Sequence, residues 1–239
     1  MVLADSEVER VLAVVAHPDD VDFGAAGTIA TWTKAGLEVV YLLCTAGDAG
    51  GFDPDVPRSQ IPSIRQAEQA AAAAEVGVSD VRFLGYPDGR LTPSIELRRD
   101  ISRVIRQVRP QRVVCQSPVR NFERIGASHP DHLAAGESCL CAVYPDARNP
   151  FAHPELLAEG LAEWKVSEVW LMGGPDPTHF IDVTDTFERK IAALRAHVSQ
   201  TAHEGDLESR LRSWLSRAAR SAGLPEGRLA ESFRVVDTS

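Results

Sequence analysis

The sequence predicts an α/β fold: a Rossmann-like, doubly wound and mostly parallel sheet with helices on both faces. Two observations lead to this prediction. Short continuous apolar runs such as 11–16 (VLAVVA) are typical of parallel strands buried on both faces, and they alternate regularly with segments of helical pattern. Because 239 residues lie near the upper size for one hydrophobic core, we expect a single domain over residues 1–239 with a small C-terminal elaboration of strands and helices.

Each predicted element follows from its local pattern. The first strand, 11–16, stops at a His-Pro pair, and we expect a loop over 17–27 before a helix over 28–36 that Gly36 ends. Later segments repeat the alternation of strand and helix. The sequence predicts further strands at 37–47, 81–86, 112–118, 168–174 and 178–184, and further helices at 63–77, 94–110, 129–144, 184–200 (with Thr184 or Asp185 as N-cap) and 206–223.

Composition excludes several classes of protein. The chain has 25 Lys and Arg against 34 Asp and Glu, a formal net charge of −9, which argues against nucleic-acid binding. No apolar run is long enough to span a bilayer, and the first residues show no export signal, so we expect no membrane span and a cytoplasmic location. The four cysteines lack paired CxxC spacing, and we expect buried free thiols.

Two polar clusters follow predicted parallel strands. His17-Pro-Asp-Asp20 comes directly after the first strand, and His129-Pro-Asp-His132 follows the fourth strand after a loop and opens a predicted helix, with Pro130 suited to its first turn. Ligands of open parallel sheets bind outside the carboxyl ends of the strands. We therefore expect both clusters to line one crevice.

These residue types can support metal-assisted hydrolysis. His17, Asp20 and His132 would bind a divalent transition metal, zinc by preference, and leave a position for water. Asp19 is placed to act as general base, and His129, with Asp131 holding its tautomer, could stabilise an oxyanion and protonate a leaving amine. The alternative is that each His-Pro-Asp is only a helix start or a hydrogen-bonded loop.

At these residues the sequence resembles the PIG-L family, also called LmbE-like proteins, which are zinc-dependent deacetylases of N-acetylglucosamine-containing molecules. Four blocks carry the resemblance: AHPDDVDFGAAGTIA (16–30), IRQAEQAAAAAEVGV (64–78), LGYPDGRL (84–91) and SHPDHLAAG (128–136). The C-terminal IDVTDTFERKIAALRAHVSQ (181–200) is also similar. The resemblance implies the same metal ligands and catalytic residues as above, and an amino-sugar substrate.

The resemblance further implies three substrate-binding residues. Arg65 would contact hydroxyl groups of the substrate; the alternative is an exposed arginine on a helix surface, paired with Glu68 or Gln69. His197 and Gln200 match the end of the family pattern and would reach the site, unless they are ordinary exposed helix residues.

The sequence departs from the family pattern in two places. Many relatives carry Glu directly after AHPDD, where this chain has Val21 and Asp22, which leaves the role of that carboxylate open. The chain also lacks long insertions, so we expect loops 48–62 and 120–128 to form the pocket and to favour small substrates. Relatives of this size commonly form oligomers, so a homo-oligomer is possible.

Three other functions remain open at this point. The same machinery would hydrolyse a different amide, such as a thiol conjugate or a longer N-acyl group. A member of the family that has lost activity would bind a glycan without hydrolysis. A nucleotide-binding Rossmann module is the third alternative, although GAAG (24–27) is not the GxGxxG pattern and the acidic residues nearby would repel a pyrophosphate.

Overall fold

The computed structural model describes residues 2–239 and confirms the α/β fold. Seven strands form one sheet: β1 (Arg10–Val15), β2 (Glu38–Thr45), β3 (Asp80–Tyr86), β4 (Arg112–Gln116), β5 (Glu168–Met172), β6 (His179–Asp182) and β7 (Ala230–Asp237). Their order is β3-β2-β1-β4-β5-β7-β6. Strands β1 to β5 are parallel, whereas β7 runs antiparallel to both β5 and β6. Because the strand order reverses at β1 and β4, a crevice is expected outside their carboxyl ends.

Helices cover both faces of this sheet. They are α1 (Asp20–Lys34), α2 (Ile61–Glu75), α3 (Ile95–Val108), α4 (Pro130–Cys141), α5 (Pro154–Ala158), α6 (Phe187–Ala196), α7 (Val198–Thr201) and α8 (Leu207–Ser221). Alternate residues of β1 enter different cores: Leu12 and Val14 pack with α3 and α4, while Val11 and Ala13 pack with α1 and α2. This division is what a strand buried on both faces requires.

The predicted loop over 17–27 is wrong beyond its first three residues, because α1 already begins at Asp20. Its two glycines, usually unfavourable in a helix, stand where the helix meets its neighbours. A Cβ added at Gly24 would lie 2.2 Å from Met172 Sδ, and one at Gly27 would lie 2.7 Å from Val183 Cβ. The glycines therefore allow close packing of α1 rather than marking a loop.

The C-terminal part differs from the prediction in two further respects. The helix predicted over 184–200 is divided in the structure. Residues Thr184–Thr186 form a 3₁₀ turn, so Thr186 rather than Thr184 or Asp185 is the N-cap of α6. The helix is then interrupted at His197, which lies between α6 and α7. Strand β7, which the sequence analysis missed, lies inside the sheet between β5 and β6.

A buried ion pair fastens α1 to this C-terminal part. Glu231 of β7 accepts hydrogen bonds from the backbone N–H groups of Gly27 and Thr28 at 3.0 and 2.8 Å. Its Oε1 lies 2.7 Å from Nζ of Lys190, which also donates to the carbonyl oxygens of Asp22 and Phe23. Both ionic side chains are almost fully buried, so the N-terminal half of α1 is held from two elements at once.

Two expectations from composition can be compared with this structure. None of the helices within residues 2–239 has the length and apolar character needed to cross a bilayer. Cys44, Cys115 and Cys139 are buried free thiols, and Cys141 is a half-buried one.

Candidate metal centre and active site

The turn after β1 carries the first predicted cluster. Asp19 has a φ of 82°, a left-handed conformation that residues other than glycine rarely adopt and that Asp tolerates better than most. The backbone N–H of His17 donates to Asp20 Oδ2 at 2.7 Å and closes the turn. Such strained backbone is common at functional sites. The turn presents His17, Asp19 and Asp20 at the carboxyl edge of the sheet.

The second predicted cluster begins α4. Pro130 is the first helical residue, as predicted, and its missing N–H removes no helical hydrogen bond there. His129 is the N-cap, and its Nδ1 accepts the backbone N–H of Asp131 at 3.2 Å. Because Nδ1 is the acceptor, a neutral His129 carries its proton on Nε2.

The two clusters meet at one place. Metal-ligating atoms of His17, His129 and His132 lie within 4.8 Å of one another. Asp20 bridges two of these rings, with Oδ2 3.3 Å from His17 Nδ1 and Oδ1 3.0 Å from His132 Nε2. The structure thus brings together the three residues predicted as metal ligands, with His129 beside them.

Carboxylates surround His17 on both sides of its ring. Its Nε2 lies 3.0 Å from Asp88 Oδ1 and 3.2 Å from Asp131 Oδ2, opposite the contact of Nδ1 with Asp20. Burial lowers the pKa of His17, but the hydrogen bonds to Asp20 and Asp88 outweigh burial and raise it to about 11. The cluster is therefore arranged to stabilise positive charge.

This donor set fits a metal ion. Imidazole nitrogens and carboxylate oxygens are ligands that divalent transition metals accept, and the acidic surroundings favour a cation. His17, Asp20 and His132 can hold the ion, while Asp88 and Asp131 can orient His17 from its other nitrogen. A second group of potential ligand atoms, from His17, Asp88 and Asp131, also lies within 4.8 Å.

Asp131 is placed differently from the prediction. Its carboxylate accepts backbone N–H groups of Gly89 and Leu91 at 2.7 and 3.2 Å and contacts His17, whereas only its backbone N–H reaches His129. The expectation that the Asp131 carboxylate holds the tautomer of His129 is therefore wrong. The main chain sets that tautomer, because Asp131 faces the sheet edge from the buried side of α4.

Asp19 has the environment of a general base. Burial and the adjacent Asp20 carboxylate raise the pKa of Asp19 to about 7, although Arg65 acts in the opposite direction. A base that titrates near neutral pH exchanges protons effectively in both directions. Burial and the neighbouring His17 and His132 also lower the pKa of His129, which favours its neutral form.

Arg65 lies in the site, where it contacts protein groups, and its contact with hydroxyl groups of the substrate stays a prediction. Only 4% of its surface is exposed, so the alternative of a helix-surface arginine is wrong. Its Nη2 donates to the Pro18 carbonyl at 2.7 Å and to Asp19 Oδ2 at 3.1 Å, and its Nη1 donates to the Gly47 carbonyl at 3.3 Å. In this structure Arg65 orients the predicted base.

His197 belongs to a buried network behind Asp19. The backbone N–H of Asp19 donates to Gln69 Oε1 at 2.9 Å, and Gln69 Nε2 donates to Asp22 Oδ2 at 2.8 Å. His197 Nε2 lies 2.8 Å from the same Asp22 oxygen. Since His197 has no exposed surface, it does not face the open crevice as a substrate-binding residue would, and it is not an exposed helix residue either. Asp22, whose role the sequence left open, is the centre of this network.

Gln200 lies at a neighbouring pocket. It is half-buried on α7, donates through Nε2 to Ser199 Oγ at 3.0 Å, and lines a cavity of about 610 Å³ beside Arg65. Residues 50–54 and 56 of the first predicted pocket loop line this cavity, but residues of the second loop, 120–128, do not. That second loop instead places the Ala127 carbonyl 3.4 Å from His132 Nδ1.

Sequence reasoning missed Asp88 and Gln69. Asp88 follows β3 at the same sheet edge, and its position within LGYPDGRL, a block quoted for the resemblance, was the available signal. Gln69 also lies in a quoted block, 64–78, but its role could not be predicted there, because only the packing of α2 brings its amide to Asp19 and Asp22.

Comparison with known proteins identifies the family. Residues 12–143, which contain both clusters, match the PIG-L family model, described as GlcNAc-PI de-N-acetylase. The chain belongs to the PIG-L family. It is 34% identical over 195 residues to the diacetylchitobiose deacetylase of Thermococcus kodakarensis, covering 82% of this chain and 71% of that protein.

Two further PIG-L comparisons extend the match. The chain is 33% identical over 199 residues to a probable N-acetyl-alpha-D-glucosaminyl L-malate deacetylase 2 of Bacillus cereus, covering 80% of this chain and 84% of that protein. The structure of an N,N'-diacetylchitobiose deacetylase from Pyrococcus horikoshii superposes with a TM-score of 0.89 at 29% identity, covering 98% of this chain and 85% of that one. The structural likeness thus reaches beyond the family match into the C-terminal part.

Proposed function

We propose that this PIG-L family protein is a zinc-dependent hydrolase that removes the acetyl group from an N-acetylglucosamine-type amino sugar or small glycoconjugate. The convergence of His17, Asp20 and His132 beside Asp19 carries this proposal. The relatives support the substrate, because the names of the Thermococcus and Bacillus deacetylases give substrates that contain an N-acetylated glucosamine.

The metal supplies Lewis-acid activation of the amide carbonyl and of water when it is bound. Asp19 takes a proton from the attacking water as the water oxygen bonds to the carbonyl carbon, and Arg65 holds the Asp19 carboxylate in place. His129 donates a hydrogen bond from Nε2 to the developing oxyanion. Cleavage of the C–N bond releases the amine, which receives the proton from Asp19, together with acetate.

Gln69, Asp22 and His197 act on the reaction only through Asp19. They fix the backbone N–H of Asp19 in its left-handed conformation, so the carboxylate points to the same place in each turnover. Such outer contacts orient a reactive group without touching the substrate.

Release of acetate and free amine tests the proposal. Zinc-loaded protein is incubated with N-acetylglucosamine and N,N'-diacetylchitobiose, and both products are measured. Asp19→Asn, which keeps the shape of the side chain but removes the base, should retain zinc and lose about 10²- to 10⁴-fold in kcat. Asp185→Asn makes the same chemical change at an exposed position and should leave kcat unchanged.

Either of two results would refute the proposal. One is the absence of product from any N-acetyl amino sugar although zinc is bound. The other is an Asp19→Asn variant as active as the wild type. Reconstitution with zinc, iron(II) or cobalt, followed by the same assay, identifies the metal that supports turnover.

Other expectations remain proposals. A single domain over residues 1–239 is supported by the three hydrophobic clusters that share the one sheet. The cytoplasmic location and the homo-oligomer are predictions that cell fractionation and light scattering will test.

A further inference from the structure

We propose that the cavity beside Arg65 binds an apolar group attached to the amino sugar, so that the preferred substrate is a glycoside of N-acetylglucosamine with an aromatic or aliphatic aglycone. This inference rests on the proposed deacetylase function and concerns which substrates that function takes. The cavity volume of about 610 Å³ is typical of small-molecule sites.

Three segments build the cavity. The loop 50–56 forms one wall, the start of α2 forms the floor, and α7 with the residues after it forms the other wall. On α2, Ile61, Ile64, Arg65 and Glu68 recur at helical spacing and share one face. Ile61 and Ile64 are only half-buried, so this apolar face is not covered by another element of the described chain.

The cavity has polar and apolar lining residues. Arg65, which contacts Asp19, and Gln200 are polar, and Gly50 lies so close to the Arg65 guanidinium that an added Cβ would meet Nη1. The apolar lining residues are Phe52, Pro54, Val56, Ile61, Ile64 and Val198, and the remaining polar ones are Asp53, Glu68, Ser199 and His203.

This lining matches a sugar with an apolar substituent rather than a long acyl chain. The acyl group is bonded directly to the reacting carbonyl and must lie beside Asp19. On α2, Ile64 adjoins Arg65, and Ile61 lies four residues away, about 6 Å along the helix axis. A polar sugar ring occupies the intervening space, next to Arg65 and Gln200.

An aromatic pair stands at the mouth of the cavity. The rings of Phe52 and His203 have centroids 3.9 Å apart, which ties the tip of the loop to the segment after α7. Phe52 is nevertheless 65% exposed, so one part of its ring is free to contact a ligand. The same loop reaches the reaction centre, because the Ala49 backbone N–H donates to Asp88 Oδ2 at 3.1 Å.

The test compares methyl and phenyl glycosides of N-acetylglucosamine, in both anomers, by amine release. In the wild type, kcat/KM for one phenyl anomer should exceed that for the matching methyl glycoside about tenfold, mainly through KM. Phe52→Ala and Ile64→Ala should reduce this ratio to about 2 or less. Phe151→Ala and Ile95→Ala make the same changes at exposed positions outside the cavity and should keep the wild-type ratio.

The outcomes separate this inference from the function on which it rests. Equal kcat/KM for methyl and phenyl glycosides, or a ratio that Phe52→Ala and Ile64→Ala leave intact, overturns the inference while deacetylation stands. A preference for N-hexanoyl over N-acetyl glucosamine that Ile64→Ala abolishes would also overturn the inference, because that result would assign the cavity to the acyl group. Calorimetry with phenyl glucosides, which contain no amide, gives a readout without turnover: binding weakened by Ile64→Ala supports the cavity even if no sugar is deacetylated.

Discussion

The two edges of the sheet both bury charge, but they do so in opposite ways. At the amino edge, Arg112 at the start of β4 is fully buried between the rings of Trp32 and Trp170. Its donors are paired with Glu168 at 2.6 Å, Asp5 at 2.7 Å and the Leu3 carbonyl at 3.2 Å. At the carboxyl edge, one histidine faces three carboxylates.

The difference shows how structural and functional charge can be distinguished. The pair of Arg112 and Glu168 is balanced in charge and fully enclosed, because a buried charge without a partner is costly. The His17 cluster carries surplus negative charge next to exposed His129, which leaves it in need of a cation. Burial alone therefore does not mark a site; unbalanced charge with an open side does.

The largest effect is expected for His132→Ala. The variant removes one nitrogen from the donor set, so bound metal should fall to background in mass spectrometry and deacetylation should fall with it, while the circular dichroism spectrum stays native. His179→Ala is the control, since this histidine packs against Trp170 at the other end of the molecule. Full zinc occupancy in His132→Ala would remove that residue from the ligand set.

Arg112→Ala should affect stability instead of metal binding. It leaves Glu168 buried without its partner, and we expect a loss of about 3–5 kcal/mol in the free energy of unfolding, measured by urea denaturation. Zinc content per folded molecule should not change. Arg82→Ala breaks a more exposed pair with Asp80 and should cost less than about 1 kcal/mol. A lowered zinc stoichiometry in folded Arg112→Ala would contradict the division between the two edges.

His197→Phe should have a smaller effect, on catalysis rather than on metal binding or on stability. It removes one contact of Asp22 and loosens the network that holds Asp19, so kcat should fall about tenfold with KM and zinc content unchanged. Asp22→Asn retains an acceptor for Gln69 and should lose less. If KM rises while kcat is preserved, His197 acts on substrate binding and the network is not its role.

The smallest effect on activity is expected for Gly24→Ala, where helix α1 packs closely against β5 without a charged contact. In Gly24→Ala the new Cβ meets the flexible end of Met172, so we expect about 1–3 kcal/mol of destabilisation in thermal unfolding and no change in the order of substrate preference. A stabilised variant would show that helical propensity outweighs the close contact.

The position of the site could be predicted because the sequence predicts where the parallel strands end. His17, Asp20 and His132 follow apolar runs that predict parallel strands, and the carboxyl ends of such strands meet at one edge. The burial of Arg65 and His197 could not be predicted from the sequence, since it depends on how α2 and α6 pack together rather than on any local pattern. The glycines of α1 misled for a related reason: their function is long-range contact with Met172 and Val183.

Strand β7 was missed although Phe233 and Val235 alternate with polar residues, as in a strand. Its place between β5 and β6 depends on pairing with segments about 50 to 70 residues earlier, which no local pattern reveals.

The position of β7 also sets a condition on biosynthesis. A ribosome produces residues 10–116, with strands β1 to β4, long before it reaches Glu231, yet Glu231 is the group that binds the backbone of α1 at Gly27 and Thr28. Until then the nascent chain exposes the pairing edges of β5 and β6, which are prone to associate with other chains. The sheet can therefore be completed only after β7 has left the exit tunnel.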